Sequence, residues 1–334
     1  MELKPPAIAP VPATTARPRW SVMIPTYNCA DYLRETLRSV LAQDPGANQM
    51  QIEVIDDCST RDDPAAVVRE LAPDGRVTFY RHPANVGAIA NFNACIARSR
   101  GHLVHILHGD DAVLPGFYPA IERLADAQPD CAFYATRSLV MDEQGVAYTV
   151  SPGFPNDGRL ALSDDTFYTN PFVTPTIVMR RDFYERHGGF DPRFPHVADW
   201  EMWLRALQHG GGAVTRQVLA AYRLHRNNDT SRLVRKAGNL ADYHQLFLHE
   251  LPQRPSLDER RMRRQLGLLA FEQAGRFLAP ADREAFVANR RVFWAMMGRR
   301  AGFLHLLGQR LGRQFTAAAA RQVPATLPRD FPAH

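Results

Sequence analysis

The stretch HILHGDDAVLPG, residues 105–116, ends an apolar run in two adjacent aspartates and then returns at once to apolar residues and a proline. Two neighbouring carboxylates at the end of a strand repel each other and must be compensated. Water can do that, and so can a divalent cation bound by carboxylate oxygens. Aspartate pairs are too common for this one to decide alone. A solvated turn in which Asp111 caps the following helix is the plain alternative.

The flanking sequence repeats the arrangement. SVMIP (21–25) runs into PTYN (25–28), IEVI (52–55) into DDCS (56–59), and LVHIL (103–107) into HGDD (108–111). Between these β-rich runs lie stretches with helical spacing. ADYLRETLRSVLAQ carries Leu33, Leu37, Val40 and Leu41 on one face, and AIANFNACIARS carries Ile89, Phe92 and Ile96. VTFY (77–80) and CAFYA (131–135) read as further strands, and GFYPAIERLADA as a helix. Strand–helix alternation of this density predicts an α/β domain with a mainly parallel sheet. In such sheets ligands bind outside the carboxyl ends of the strands. Three polar clusters after three strands therefore outline one site on one rim.

Beyond residue 150 the rhythm changes. SPGFPNDGRLALSDDTFYTNPF is turn-rich and reads as a loop with short pieces of structure. TPTIVMRRDFYERHGGFD gives a strand, a short helix and a Gly-Gly turn, ADWEMWLRALQHGG a helix, and VTRQVLAAYRLH paired strands. From about Leu233 the chain reads as helical to its end, interrupted by Pro252 and Pro255. No internal repeat is present.

The chain has 334 residues, 45% of them apolar, enough for one large domain or two ordinary ones. Its net charge of +5 and pI near 9.2 come largely from arginines after Pro255. That bias points to an anionic partner such as a membrane surface, or to a solvated face, rather than to nucleic acid. Cys29, Cys58, Cys95 and Cys131 show no CxxC or zinc-like spacing, which fits reduced thiols. No stretch reaches the ~20 apolar residues of a membrane span, and the Pro- and Ala-rich lead-in over residues 1–18 reads as flexible, without a signal peptide's apolar core. These features lead us to expect a cytoplasmic protein, with the inner face of the cell membrane as a station for its basic C-terminal part.

SVMIPTYNCADYLRETLRSVLAQ, EVIDDCSTRDD, NVGAIANFNACIARSRGHLVHILHGDD, GGFD and ADWEMWLR, in this order, resemble the inverting glycosyltransferases of family 2. The resemblance covers roughly residues 19 to 230. It implies a GT-A fold: a Rossmann-like nucleotide-binding sheet with helices on both faces, over 19–232, followed here by a helical C-terminal region, 233–334. It also implies a nucleoside-diphosphate sugar donor of the UDP or dTDP type, Mn²⁺ or Mg²⁺, and a glycan or lipid-linked acceptor in polysaccharide assembly.

Carried over residue by residue, Pro25, Thr26 and Tyr27 would border the nucleotide pocket, and Asp57 would hold the base or ribose. Read from the residues themselves, NVG at 85–87, with Asn91 and Asn93, adds neutral hydrogen-bonding groups, Asn85 among them, and a glycine, Gly87, that allows close approach; the plain alternative for Asn93 is an exposed helix residue. Asp110 and Asp111 would form the DxD-type element, Asp110 toward the donor and Asp111 as direct metal ligand. The acidic pair common at the later motif is here Ala198-Asp199, so Asp199 alone would be the catalytic base, its plain alternative being a helix N-cap. His225, in YRLH, would complete the metal shell or is an ordinary polar residue. Arg223 and Arg226 read either as phosphate partners or as exposed charges. Trp200 and Trp203 would shape the acceptor pocket or belong to the core.

Two other enzyme classes lack their signatures. A dinucleotide-dependent dehydrogenase needs GxGxxG after the first strand, and a nucleotidyltransferase needs a basic, glycine-rich phosphate loop; PTYNCADY is neither. A catalytically silent binding or scaffold protein on the same fold is the reading from another class. The arginine-rich NRRVFWAMMGRRAGFLHLLGQRLGRQF suits an interfacial helix, a face packed on the catalytic core, or a contact between subunits.

Overall fold

A computed structural model describes residues 4–160, 162–225, 229–278, 282–312 and 325–326. Strands β1 (Trp20–Thr26), β2 (Met50–Asp56), β3 (Thr78–Arg81) and β4 (Leu103–Ile106) alternate with helices α1 (Ala30–Leu41), α2 (Pro64–Leu71) and α3 (Ala88–Arg98). β5 (Ala112–Val113), α4 (Phe117–Ala127), β6 (Phe133–Met141), β7 (Val146–Val150) and β8 (Gly158–Leu160) follow, then β9 (Ile177–Arg180), α5 (Arg181–His187), α6 (Ala198–His209) and β10 (Gly212–Arg223). The C-terminal part is α7 (Asp229–Lys236), α8 (Gly238–Glu250), α9 (Glu259–Arg276) and α10 (Arg283–Gly312). Ala325–Thr326, within the stretch expected to be helical, instead pairs antiparallel with β7 as β11.

The central sheet runs β11-β7-β6-β9-β4-β1-β2-β3. The expected parallel pairing holds from β4 to β3, where helices make the crossovers. The other half is mixed, because β9 enters antiparallel between β4 and β6. The chain moves outward from β1 to β3 and then returns to place β4 on the other side of β1. The strand order therefore reverses between β1 and β4, which is where a doubly wound sheet opens its ligand crevice. VTRQVLAAYRLH is not a hairpin. It belongs to one 12-residue strand, β10, that pairs with β6 across two register shifts and carries β5 and β8 on its other side.

β1 is buried on both faces, as the central strand of a three-layer domain must be. Val22 and Ile24 face a core with Leu33, Leu37 and Val40 of α1, Val67 of α2, and Phe117 and Ile121 of α4. Met23 faces the opposite core, with Ile96 of α3, Phe183 of α5, and Met202 and Trp203 of α6. A third core joins Trp200 and Leu204 on the outer side of α6 to Leu240 and Phe247 of α8, Met262 and Leu266 of α9, and Phe293 of α10. The C-terminal helices thus share apolar packing with α6 of the strand-bearing part, and both tryptophans of α6 are core residues. No helix among the described residues is long and apolar enough to cross a membrane.

The lead-in expected to be flexible packs on α5 from residue 5 onward. Ile8 is buried, Gly189 donates its N–H to the Pro6 carbonyl at 2.9 Å, and the Arg181 guanidinium reaches the Ala9 carbonyl.

Candidate functional site

Each polar cluster sits just past a strand, and the structure ties the clusters to one another. Gly109 donates to the Pro25 carbonyl at 3.0 Å, laying the HGDD turn along the end of β1. A Cβ at Gly109 would stand 3.0 Å from Thr26 Oγ1 and 3.2 Å from Cys29 Sγ, so a side chain there would have to displace both. Asn28, in the left-handed region at φ 53°, accepts from the amides of Thr60 and Arg61 at 2.9 Å each. Its own N–H donates to Ser59 Oγ at 2.8 Å, so PTYN and DDCST are clipped into one unit.

Asp56 and Asp57 divide their work. Asp56 is buried and accepts from Ser59 and from Arg81 Nε at 2.6 Å, which makes it the turn-forming residue of the pair. Asp57 accepts the backbone N–H groups of Val86 at 2.7 Å and Gly87 at 3.0 Å, while Asn85 Nδ2 donates to the Asp57 carbonyl. Asp57 therefore fixes the NVG loop beside the strand ends, and Gly87 adopts φ +86° to lead into α3. A carboxylate has about four acceptor positions, so capacity for a ligand remains.

Asn91, grouped with the NVG loop in the sequence reading, is buried, donating to the Ile55 carbonyl at 3.1 Å and meeting His82 Nε2 at 3.2 Å through its oxygen. It docks α3 on β2. Asn93 likewise exchanges two hydrogen bonds with the backbone of Phe190 and holds the GGFD turn. Gly189 is needed there, since a Cβ would fall 2.2 Å from Asn93 Oδ1.

Asp110 and Asp111 lie at the centre. Asp111 is buried; its Oδ1 accepts the backbone N–H of Arg223 at 2.9 Å, and its Oδ2 has no hydrogen-bond partner. His108 Nδ1 stands 3.8 Å from that oxygen. One ligand atom from each of His108, Asp110 and Asp111 lies within 4.8 Å of the others. Asp111 caps no helix, because α4 begins at Gly116 without a side-chain cap. Burial, and then the charge of Asp110, pushes the Asp111 carboxyl well above its ordinary range. Burial also disfavours ionised Asp110, but the hydrogen bond from His225 and the nearby imidazoles outweigh it and hold Asp110 below its ordinary value.

His225 joins Asp110 rather than Asp111, with Nε2 2.9 Å from Asp110 Oδ2. Its ring is tilted on Tyr32 at 4.9 Å. Arg223 is also placed differently from either expectation. It is 1% exposed, donates from Nε to the Asp110 carbonyl and from its end groups to Asp142 and Glu35, and lies over Tyr32. It clamps the HGDD turn. Arg226 lies outside the described residues.

The sequence reading missed His108, three residues before Asp111. Its ring stacks on Phe92 of α3 at 4.8 Å and 16°, which orients it toward the aspartates. His105 shows the opposite case. It is fully buried against Phe117, bonded to the Pro175 carbonyl, and pushed down by desolvation to a pKa of about 3, so it is a neutral core residue.

Asp199 stands in the first turn of α6. The N-cap position is Val197, and the Asp199 carboxylate accepts the N–H of the next residue, Trp200, at 2.6 Å, so it is not the cap. Desolvation raises its pKa to about 6 against the opposing hydrogen bonds. Ala198, where the family commonly has an acid, is buried in the core under α6. Tyr243 of α8 packs edge-on against Trp200 at 5.2 Å and is pushed up to about 12 by burial and then by the Asp199 charge. Tyr27 remains exposed at the rim, and Pro25 and Thr26 are buried beneath it.

The chain is similar in sequence and in fold to known proteins. The chain is 26% identical over 217 residues to the putative glycosyltransferase EpsE of Bacillus subtilis, covering 64% of this chain and 74% of that protein. It is 25% identical over 222 residues to the putative teichuronic acid biosynthesis glycosyltransferase TuaG of the same organism, covering 65% and 84%. It is 29% identical over 247 residues to the succinoglycan biosynthesis protein ExoO of Rhizobium meliloti, covering 70% and 66%. In fold it is similar to S. aureus TarS 1–349 in complex with UDP-GlcNAc, with a TM-score of 0.54, 17% identity and coverage of 82% and 90%. It is also similar to the mannosyltransferase PcManGT of Pyrobaculum calidifontis in complex with GDP-Man and Mn²⁺, with a TM-score of 0.54, 20% identity and coverage of 93% and 84%. Residues 21–188, half of the chain, match the family model for glycosyl transferase family 2. The chain thus carries a GT-A fold, is a glycosyltransferase, and belongs to glycosyl transferase family 2.

Proposed function

We propose that the protein transfers a sugar from a UDP- or dTDP-type donor, with inversion and with the help of a divalent cation, to a glycan or lipid-linked acceptor in surface polysaccharide assembly. The observation that carries this reading is the buried Asp111 Oδ2, which has no partner and faces His108 beside Asp110 at the sheet's switch point. Two carboxylates and an imidazole form a donor set suited to Mn²⁺ or Mg²⁺. Mn²⁺ in the PcManGT complex and UDP-GlcNAc in the TarS complex support the cofactor and donor classes. The names of TuaG and ExoO support the pathway.

Asp111, with Asp110 and His108, would hold the cation, and His225 would orient Asp110 from outside that set. When bound, the cation offsets the charge of the departing diphosphate. Pro25, Thr26 and Tyr27 would border the nucleotide, Asp57 would accept from its base or ribose, and Asn85 and Gly87 would close that wall. Asp199 is the base. With a pKa of about 6 it is ionised at neutral pH yet basic enough to accept a proton. In a single displacement the acceptor oxygen bonds to the anomeric carbon as the bond to the diphosphate oxygen breaks. The acceptor's proton goes to Asp199 and the bonding electrons leave with the diphosphate. Residues 19–232 carry this chemistry, at the cytoplasmic side of a membrane.

Titration calorimetry with UDP, dTDP, GDP and CMP, each with and without Mn²⁺, tests the reading. Tight, metal-dependent binding of one diphosphate is expected. Binding of none of them would overturn it.

A further inference from the structure

α9 and α10 line an open cavity of about 520 Å³ far in sequence from the strand-end clusters. Arg260, Arg263 and Arg264 occupy i, i+3 and i+4 of α9 and so share one helix face, which lines one side. Leu268, Met296, Met297 and His305 form the remainder. α10 is kinked at Gly298, in the left-handed region at φ 71°, between Met297 and His305 of this lining. Gly267 lets Met297 in, since a Cβ there would fall 2.5 Å from its Cγ.

The charges in this wall are unbalanced. Between Ser256 and Gly312 the sequence has eleven arginines and five carboxylates. Other arginines nearby are engaged: Arg261 pairs with Asp165 and lies over Tyr168, Arg254 lies over Phe167, and Arg276 pairs with Glu272. Arg263 pairs with Glu259 at 2.8 Å. Arg260 and Arg264 have no carboxylate partner among the described residues, and both are exposed at the cavity mouth. His305 is held edge-on by Phe271 at 5.0 Å, and its Nε2 is buried with no hydrogen-bond partner. Two like charges without a carboxylate partner on one face, Arg260 and Arg264, repel, and a buried ring nitrogen without a partner is costly. Both features are relieved by the same occupant, an anion with several acceptor oxygens.

Guanidinium groups recognise phosphate oxygens in a bidentate fashion, while methionine and leucine make an adaptable apolar floor. We propose that this cavity binds a phosphate group carried on an apolar chain, that is, a lipid phosphate. Arg260, Arg264 and His305 take the phosphate, and the chain runs along Leu268 and Met297. The site is separate from the strand-end clusters and does not depend on the donor assignment.

The test compares the full-length protein with an Arg260→Glu/Arg264→Glu variant and with Arg123→Glu, an exposed charge reversal on α4. Each is titrated with monomeric dodecyl phosphate and inorganic phosphate, and sedimented with phosphatidylcholine vesicles with and without phosphatidylglycerol. The wild type and Arg123→Glu are expected to bind at least one lipid phosphate and the double variant to lose about 10-fold or more. UDP binding and the thermal midpoint should stay unchanged in all three, so failure here is distinguishable from failure of the donor site. Binding that needs phosphatidylglycerol identifies a bilayer lipid as the source, and binding of dodecyl phosphate alone identifies a free lipid phosphate. Equal binding by the double variant, inorganic phosphate binding as tightly as dodecyl phosphate, or no binding of any probe would overturn the proposal.

Discussion

His225 Nε2 and Asp110 Oδ2 lie 2.9 Å apart although 115 residues separate them in the chain. The contact leaves Asp111 Oδ2, beside it, without a hydrogen bond, and so splits the aspartate pair into a restrained carboxylate and an open one. On the proposed reading the open oxygen is the cation's. Four predictions extend from this arrangement.

Asp111→Asn should weaken Mn²⁺-dependent donor binding and cut transfer by about 100- to 1,000-fold. Without metal, the variant should melt at a higher temperature than the wild type, because a buried carboxylate beside Asp110 has been neutralised. Adding Mn²⁺ should raise the wild-type midpoint by mass action and leave the variant unmoved. Thermal melts with and without metal and donor check all three, and metal-independent donor binding in the wild type would sink the assignment.

His225→Ala should reduce transfer by about 10- to 100-fold, the usual cost of losing a residue that orients a metal-binding group. His108→Ala, if His108 is a direct ligand, should lose more, and most of its loss should appear as weaker Mn²⁺ affinity. Metal titrations of the two variants separate the roles; equal Mn²⁺ affinity in both would remove His108 from the ligand set.

Asp199→Asn should bind donor normally and transfer about 100- to 10,000-fold more slowly. In the wild type, kcat/KM should fall tenfold per pH unit below about pH 6, where the base protonates. The stability effect has the opposite sense. A carboxyl raised from 3.8 to about 6 in the folded protein binds its proton more tightly than in the unfolded chain. The stability from that proton is complete below about pH 4 and is lost as pH rises through 6. Asp199→Asn should therefore be more stable than the wild type at pH 8, with the gap closing toward pH 4.

Asn28→Ala should cost about 1–2 kcal/mol, since the amides of Thr60 and Arg61 lose their acceptor and alanine fits φ 53° poorly. The same change should loosen donor binding without altering the pH profile. Denaturant melts and calorimetry read the two effects, and a variant of wild-type stability would show that the two loops hold without the clip.

The sequence by itself determined the alternating strands and helices of the first half and where they ended. β1, β2 and β4 were legible because short apolar runs stop at polar clusters, and α1, α3 and α6 because apolar residues recur at the helical period. That also brought Asp57, Asp110, Asp111 and Asp199 into view, each beside the end of a readable element. Tertiary structure decided what those side chains touch. Asn91 faces Ile55 rather than the crevice, Arg223 clamps a turn, and His225 chose Asp110, through contacts between residues 36 to 115 positions apart. It also set β9 antiparallel and kept β10 as one bulged strand, because register and direction depend on the neighbouring strand rather than on the strand's own pattern. Periodicity is a property of a segment, whereas a site is made where segments distant in the chain converge.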